Sequence, residues 1–210
     1  MAQVQPSAPR EAARSARRQA LLETAEQVFA ERGFAGATMA EIASRAGYSA
    51  GNLYNVFESK EALFREVCLQ TWAPLHEAQL AIVRSDLPFG DAIARLLENA
   101  LDVCIRHRAF FVIYVRTTSG QGFSIEAFGD EALEMERERE AEFLRRAERA
   151  VAAGEIGNWD PRAVQSLFSG AFHHLVVRWI QDEEPPETLR ARAAELLRLV
   201  RRALGLEVAS

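Results

Sequence analysis

The chain has 210 residues, 49% of them hydrophobic and 26% charged, with a formal net charge of −5. That is enough apolar mass for one large or two small domains. No apolar run approaches the roughly 18 residues that a membrane span needs, and Met1 to Ala13 is polar, interrupted by Pro6 and Pro9, without a signal-peptide core, so a membrane protein is excluded and a cytoplasmic one expected. Alternating Val/Ile/Thr runs are missing, while Ala, Leu, Glu and Arg dominate, which predicts an all-α fold. Cys68 and Cys104 fall inside predicted helices and have no metal-ligand spacing, so both are expected to be buried free thiols.

In chain order, residues 1–13 are expected to be a disordered tail. The first helix is expected from about Arg14 to Glu31, where Ala20, Leu21, Ala25, Val28 and Phe29 recur at helical spacing, with Gly33 as its stop. Thr38 begins a second helix: its hydroxyl can cap the backbone, and Glu41 three residues on completes a capping box. Gly47 supplies the left-handed turn after Ala46. Ser49 caps a third helix, Ala50 to about Val56, and Ser59 a fourth, from Lys60 towards Trp72, which Pro74 is expected to end or kink.

Longer helices follow: Pro88 or Asp91 to about Arg106, about Arg108 to Thr117, and Asp130 to about Ala153. The stretch from Thr118 to Gly129 carries three glycines and reads as a loop that could gate a pocket. Asp160-Pro161 is a strong helix start, a capping aspartate followed by proline. That helix runs to about Gln181, and Pro185-Pro186 separates it from the last, about Glu187 to Leu204. The count is about nine, with no internal repeat.

Gly47-Tyr48-Ser49 is the length of a helix-turn-helix turn. In such a unit the second helix presents its N-terminal residues to base edges in the major groove. Here those residues are Ala50, Gly51 and Asn52: small residues permit close approach, and an Asn amide can pair with adenine. The phenol of Tyr54 and the ammonium of Lys60 suit phosphate oxygens. Cation placement agrees only weakly. Residues 1–60 carry seven basic and six acidic side chains, residues 61–210 eighteen and twenty-four. Arg10, Arg14, Arg17 and Arg18 form a local cluster, and Lys60 is a single lysine beside 24 arginines.

Residues 17–64 resemble the N-terminal domain of the TetR family of bacterial transcriptional regulators. The matching stretches are Ala25 to Phe34, Thr38 to Ala43, Ala46-Gly47, Leu53-Tyr54, Phe57 and Ser59 to Phe64. The resemblance implies phosphate contacts from Thr38, Tyr54 and Lys60, and base contacts from some of Ala50, Gly51, Asn52 and Asn55. Ser49 caps the reading helix, and Tyr48, larger than the usual turn residue, packs or reaches the DNA backbone. Val56 stands where the family commonly has an aromatic or His that contacts phosphate. The implied organisation is a DNA-binding domain over 14–60 and a helical ligand-binding and dimerisation domain over 61–210.

In the family the last two helices form a four-helix bundle between protomers. Leu167, Phe168, Ala171 and Leu175 on one predicted helix, and Leu196 and Val200 on the next, are therefore candidates for a homodimer interface. An aromatic-rich middle suggests a pocket for a small apolar or planar effector, with Trp72, His107, Phe110, Phe111, Tyr114, Phe143, Phe172 and His173 as its candidate lining. No cofactor and no catalytic or metal residues are expected: the Glu-x-x-His pairs of a ferritin-like enzyme do not occur, nor does a phosphate loop or nucleophile elbow. The expected partners are double-stranded operator DNA, a second copy of the chain and a small-molecule effector, with no membrane. The competing readings are an adaptor or sensor of the same fold without DNA binding, and an all-helical enzyme.

Overall fold

The computed structural model describes residues 8–118 and 128–206, with side chains over 11–115 and 128–206. Nine helices form among the described residues, and no strand. The chain divides into two compact units, up to Gln70 and from Thr71. The division lies inside a helix, not at Lys60 where that helix begins.

In the first unit, α1 (Ala8–Gly36) starts earlier than predicted, so residues 8–13 are helical. Pro9 lies in the first turn, where its missing N–H has no intrahelical partner to lose. Gly33, at φ 70° and ψ 168°, breaks the helix as expected. Helices α2 (Met39–Arg45) and α3 (Ala50–Tyr54) follow. Leu21, Ala25, Val28, Phe29, Ile42, Ala43, Leu53 and Phe57 are buried and make the small core. Phe64 closes it edge-on against Phe29, with ring centroids 5.2 Å apart.

Helix α4 (Lys60–Arg84) passes through Pro74 instead of ending there. A proline inside a helix removes one backbone hydrogen bond, here the one to the Gln70 carbonyl. Pro74 itself is exposed while Thr71, Leu75 and His76 beside it are buried. The lost bond thus faces solvent, and burial of the neighbouring residues holds the helix together.

The second unit contains the rest of α4 with α5 (Phe89–Arg106), α6 (Arg108–Thr118), α7 (Asp130–Ala152), α8 (Pro161–Gln181) and α9 (Pro186–Leu204). The Asp160 carboxylate accepts from the Arg162 N–H at 3.1 Å, with Pro161 in the first turn, as the sequence predicts. The α4–α5 connection is clamped from α7. The Arg146 guanidinium, 6% exposed, donates to the carbonyls of Val83 (2.7 Å), Ser85 and Leu87. Glu155 accepts from the Phe89 N–H at 2.6 Å. Trp179, fully buried, donates its indole N–H to the Pro185 carbonyl at 3.2 Å. Cys68 and Cys104 are free and buried, and burial pushes both thiols well above the ordinary range. The predicted 118–129 loop falls largely on residues 119–127, outside the described residues.

Candidate nucleic-acid interface and internal cavity

The turn between α2 and α3 is built by local chemistry. The Thr38 hydroxyl accepts from the Glu41 N–H at 3.1 Å and fixes the start of α2. At its end Gly47 takes φ +77°. Its N–H donates to Ser44 at 3.1 Å, and the Tyr48 N–H reaches back to the Ala43 carbonyl at 2.8 Å. These paired bonds are a Schellman closure, which a left-handed glycine permits without Cβ strain. Ser49 then accepts from the Asn52 N–H at 3.2 Å and starts α3 within two residues.

This closure leaves a short row of small and polar groups at the surface. Gly51 and Asn55 are exposed, Ala50 and Asn52 half-buried, and Leu53 anchors the helix in the core. Tyr54 is 54% exposed, unusual for a large aromatic beside a core. Thr38 and Ser49 are exposed as well, each also serving as a cap. Tyr48 packs: the Arg17 guanidinium lies over its ring at 4.7 Å. Val56 is half-buried.

Lys60 is placed differently from the sequence expectation. Its ammonium donates to the carbonyls of Phe34 (2.8 Å) and Ala37 (3.1 Å) and sits 4.5 Å from the Phe34 ring centroid. The lysine therefore ties the α1–α2 connection to the start of α4, a structural task that a phosphate contact would have to share. Several other cations are similarly committed: Arg18 to Glu66 and over Phe57, and Arg45 to Glu31 and Glu41. Arg14 is exposed.

In the second unit a partly open cavity of about 130 Å³ lies among α4, α5, α6, α7 and α8. Five of the eight predicted lining residues border it: Trp72, Phe111, Tyr114, Phe172 and His173. Phe110, Phe143 and His107 do not. Phe110 is fully buried and packs on Trp72, Tyr114 and Phe128. Phe143 packs on Phe89 and Phe168, and His107 caps the end of α5. Aromatic density identified the region but could not tell the wall from the core behind it.

The lining is mostly apolar, with a few polar groups. Tyr114 Oη and His173 Nδ1 lie 3.5 Å apart. Burial, then Glu136, raises the Tyr114 phenol, and burial, then His174, lowers His173. Arg139 pairs with Glu136 (Nε to Oε2 3.0 Å). His76, 7% exposed, places Nε2 3.3 Å from Glu138 Oε2. Sequence reading missed His76, Gln79, Glu136 and Arg139 as lining residues. Their signal was available only as polar positions on otherwise apolar helix faces.

Two of the proposed dimer residues belong to the protomer's own core. Phe168 is 8% exposed and stacks on Phe143, and Val200 is 1% exposed. Leu167 (42%) and Leu199 (57%) are the exposed leucines of α8 and α9. Ala171, Leu175 and Leu196 are half-buried. A stripe at helical spacing serves two faces, and its periodicity does not say which residue faces inward.

Residues 21–67 match the family model described as bacterial regulatory proteins, tetR family. Over that segment the chain is similar to the TetR family. Among curated relatives it is 32% identical over 120 residues to the HTH-type transcriptional repressor DhaR of Mycobacterium sp. (strain GP1), covering 57% of this chain and 54% of that one. It is 42% identical over 109 residues to the repressor KstR2 of Rhodococcus jostii (strain RHA1), covering 52% and 53%. These matches span about half the length of the relatives. The fold is also that of the transcriptional regulator FadR from Bacillus subtilis, solved with stearoyl-CoA, with a TM-score of 0.72 at 16% identity over 88% of this chain and 98% of that one. Among the described residues, no helix is long and apolar enough to cross a membrane, and no cluster of three His, Cys, Asp or Glu could hold a metal ion.

Proposed function

We propose that this chain is a TetR-family regulator: a cytoplasmic, ligand-responsive repressor, not an enzyme, that binds a palindromic operator as a homodimer and is released by a small apolar or aromatic molecule. The observation that carries the reading is the α2–α3 surface. A rigid, doubly capped turn presents Ala50, Gly51, Asn52, Asn55 and an exposed Tyr54 on a helix anchored by Leu53. Thr38 and Tyr54 serve phosphates, while the small residues let the α3 backbone approach base edges.

Two reading helices about 34–36 Å apart would meet successive major-groove turns. A two-fold interface fixes such spacing and makes the operator palindromic. The exposed Leu167 and Leu199, with Ala171, Leu175 and Leu196, are the apolar positions on α8 and α9 that suit it. The cavity suits an effector. A dry pocket of about 150 Å³ in another protein takes benzene, so the 130 Å³ here has room for a small apolar ring. Ligand entry favours a state whose half-site spacing no longer fits DNA, a population shift set by differential affinity.

Selection from a random duplex library by the full chain tests the DNA reading. The expected product is a palindrome whose half-site centres lie about 10 base pairs, or a multiple, apart. Recovery of no sequence above non-specific background would refute it.

A further inference from the structure

The arginine cluster near the start of α1 divides in two. Arg18 is committed inside the protein: it pairs with Glu66 and lies over the Phe57 ring, 4.6 Å from its centroid. Its neighbour Arg17 makes no ion pair among the described residues and instead places its guanidinium over the Tyr48 ring, 4.7 Å from the centroid. Elsewhere in the unit Arg32 pairs with Glu41, Arg45 with Glu31 and Glu41, and Lys60 is held by backbone carbonyls. Arg17 is thus a cation that touches the α2–α3 turn without an acidic partner.

The ring contact sets which part of Arg17 is available. A guanidinium over an aromatic ring presents its face to the π system, while its N–H donors point out along its edge. Arg17 Nε is buried without a partner and is sealed from any ligand. Neither Nη is such a buried atom, and neither makes a hydrogen bond among the described residues, so the outer edge stays open to solvent. Arginine N–H groups of this kind suit a phosphate, as charge-assisted donors.

Tyr48 sets where that edge stands. It lies between Gly47, whose positive φ makes the turn, and Ser49, the cap of α3. A group seated on Tyr48 is therefore beside the N-terminal end of the reading helix, and the phosphates that flank a major groove run past that end. Arg14, one turn earlier on α1, is exposed and also makes no ion pair among the described residues. Uncompensated positive charge at this place serves a chain whose net charge of −5 otherwise opposes DNA.

We infer that Arg17 is a further DNA contact, donating to a backbone phosphate at the lip of the groove, and that Tyr48 is its positioning residue, holding the guanidinium beside α3 through its ring. This deepens the reading of α3 as the DNA-reading helix and rests on it.

Fluorescence anisotropy of the full chain on the selected operator duplex, and on a scrambled duplex of the same composition, over a range of salt tests the inference. Arg17→Gln should weaken binding to both duplexes by a similar factor, roughly tenfold near physiological salt. The slope of log affinity against log salt should fall by about 0.9 for each Arg17 that engages DNA. Arg17→Lys should keep the slope, since the charge remains. Tyr48→Leu should weaken binding by a smaller factor and make Arg17→Gln less costly than it is in the wild type, and Tyr48→Phe, which keeps the ring, should restore both. An unchanged slope in folded Arg17→Gln, with tight operator binding by the wild type, would overturn the phosphate contact and leave the α3 reading standing. A wild type that prefers neither duplex would overturn the α3 reading and this inference with it. Equal losses in Tyr48→Phe and Tyr48→Leu would assign the effect to the phenol hydroxyl and overturn the positioning role. If Arg17→Gln does not fold, as judged by its thermal transition, Arg17→Met, which keeps the packed stem, reads the same slope.

Discussion

The two units use polar chemistry at different ranges. In the first, side-chain oxygens act on backbone three residues away: Thr38 on Glu41, Ser49 on Asn52, Ser59 on Ala62. In the second, the decisive contacts join residues about sixty positions apart: Arg146 to Val83, His76 to Glu138, Glu155 to Phe89. Each local cap is worth about 1 kcal/mol and is nearly independent of the others. A long-range clamp fails as a whole, because removing one partner strands several buried groups at once. Damage should therefore be graded in the first unit and abrupt in the second. The first unit has exceptions: Lys60 reaches Phe34 and Ala37 more than twenty residues back, and Arg18 pairs with Glu66.

The largest expected effect is on assembly. If the proposed dimer forms through α8 and α9, placing charge at both exposed leucines, Leu167→Glu with Leu199→Glu, should leave a monomer by analytical ultracentrifugation where the wild type sediments as a dimer, with helicity retained. A dimer that survives places the interface elsewhere. Next comes the Arg146 clamp. Arg146→Ala strands the carbonyls of Val83, Ser85 and Leu87 and should cost about 3–5 kcal/mol in denaturant unfolding. A loss below about 1 kcal/mol would mean that water replaces the guanidinium easily.

Lys60→Ala sharpens the comparison further. It removes two charge-assisted hydrogen bonds and a cation–π contact, and should cost about 1.5–3 kcal/mol. If Lys60 also touches phosphate, the slope of log affinity against log salt should fall by about 0.9. An unchanged slope with lowered stability would make its role structural alone. The smallest effect is acidic. Hydrogen bonds from Arg145 and then Arg84 hold the Glu142 carboxyl down at about 2, from an ordinary 4.5. Because the folded value is depressed, its stabilisation is present above about 4.5 and is lost as pH falls towards 2. Glu142→Gln should flatten the stability-against-pH curve in that window only. Arg84 and Arg145 are half-exposed, so the change is modest.

What could be read from sequence follows the same division. The Thr38, Ser49 and Asp160 caps and the Gly47 turn were all legible, because each is a rule relating neighbours along the chain. Pro74 does not end α4: the chain alone does not show that its missing bond lies on an exposed face of the helix. The cavity wall was half legible. Trp72, Phe111, Tyr114, Phe172 and His173 follow from aromatic density, but Phe110 and Phe143 have the same composition and sit behind the wall. His76 carried no local signal at all, since its meaning depends on Glu138, 62 residues away. Phe168 and Val200 share a helical stripe with exposed neighbours, and only packing separates inward from outward.

The central claim is that α3 reads DNA, and Tyr54 is the residue where that claim is most exposed. Fluorescence anisotropy of a selected duplex should give tight, saturable binding by the wild type and loss of roughly two orders of magnitude or more in Tyr54→Ala, a cost of about 3 kcal/mol. The thermal transition should be unchanged, because Tyr54 is 54% exposed and holds no core. Full operator affinity in a folded Tyr54→Ala dimer would contradict the account.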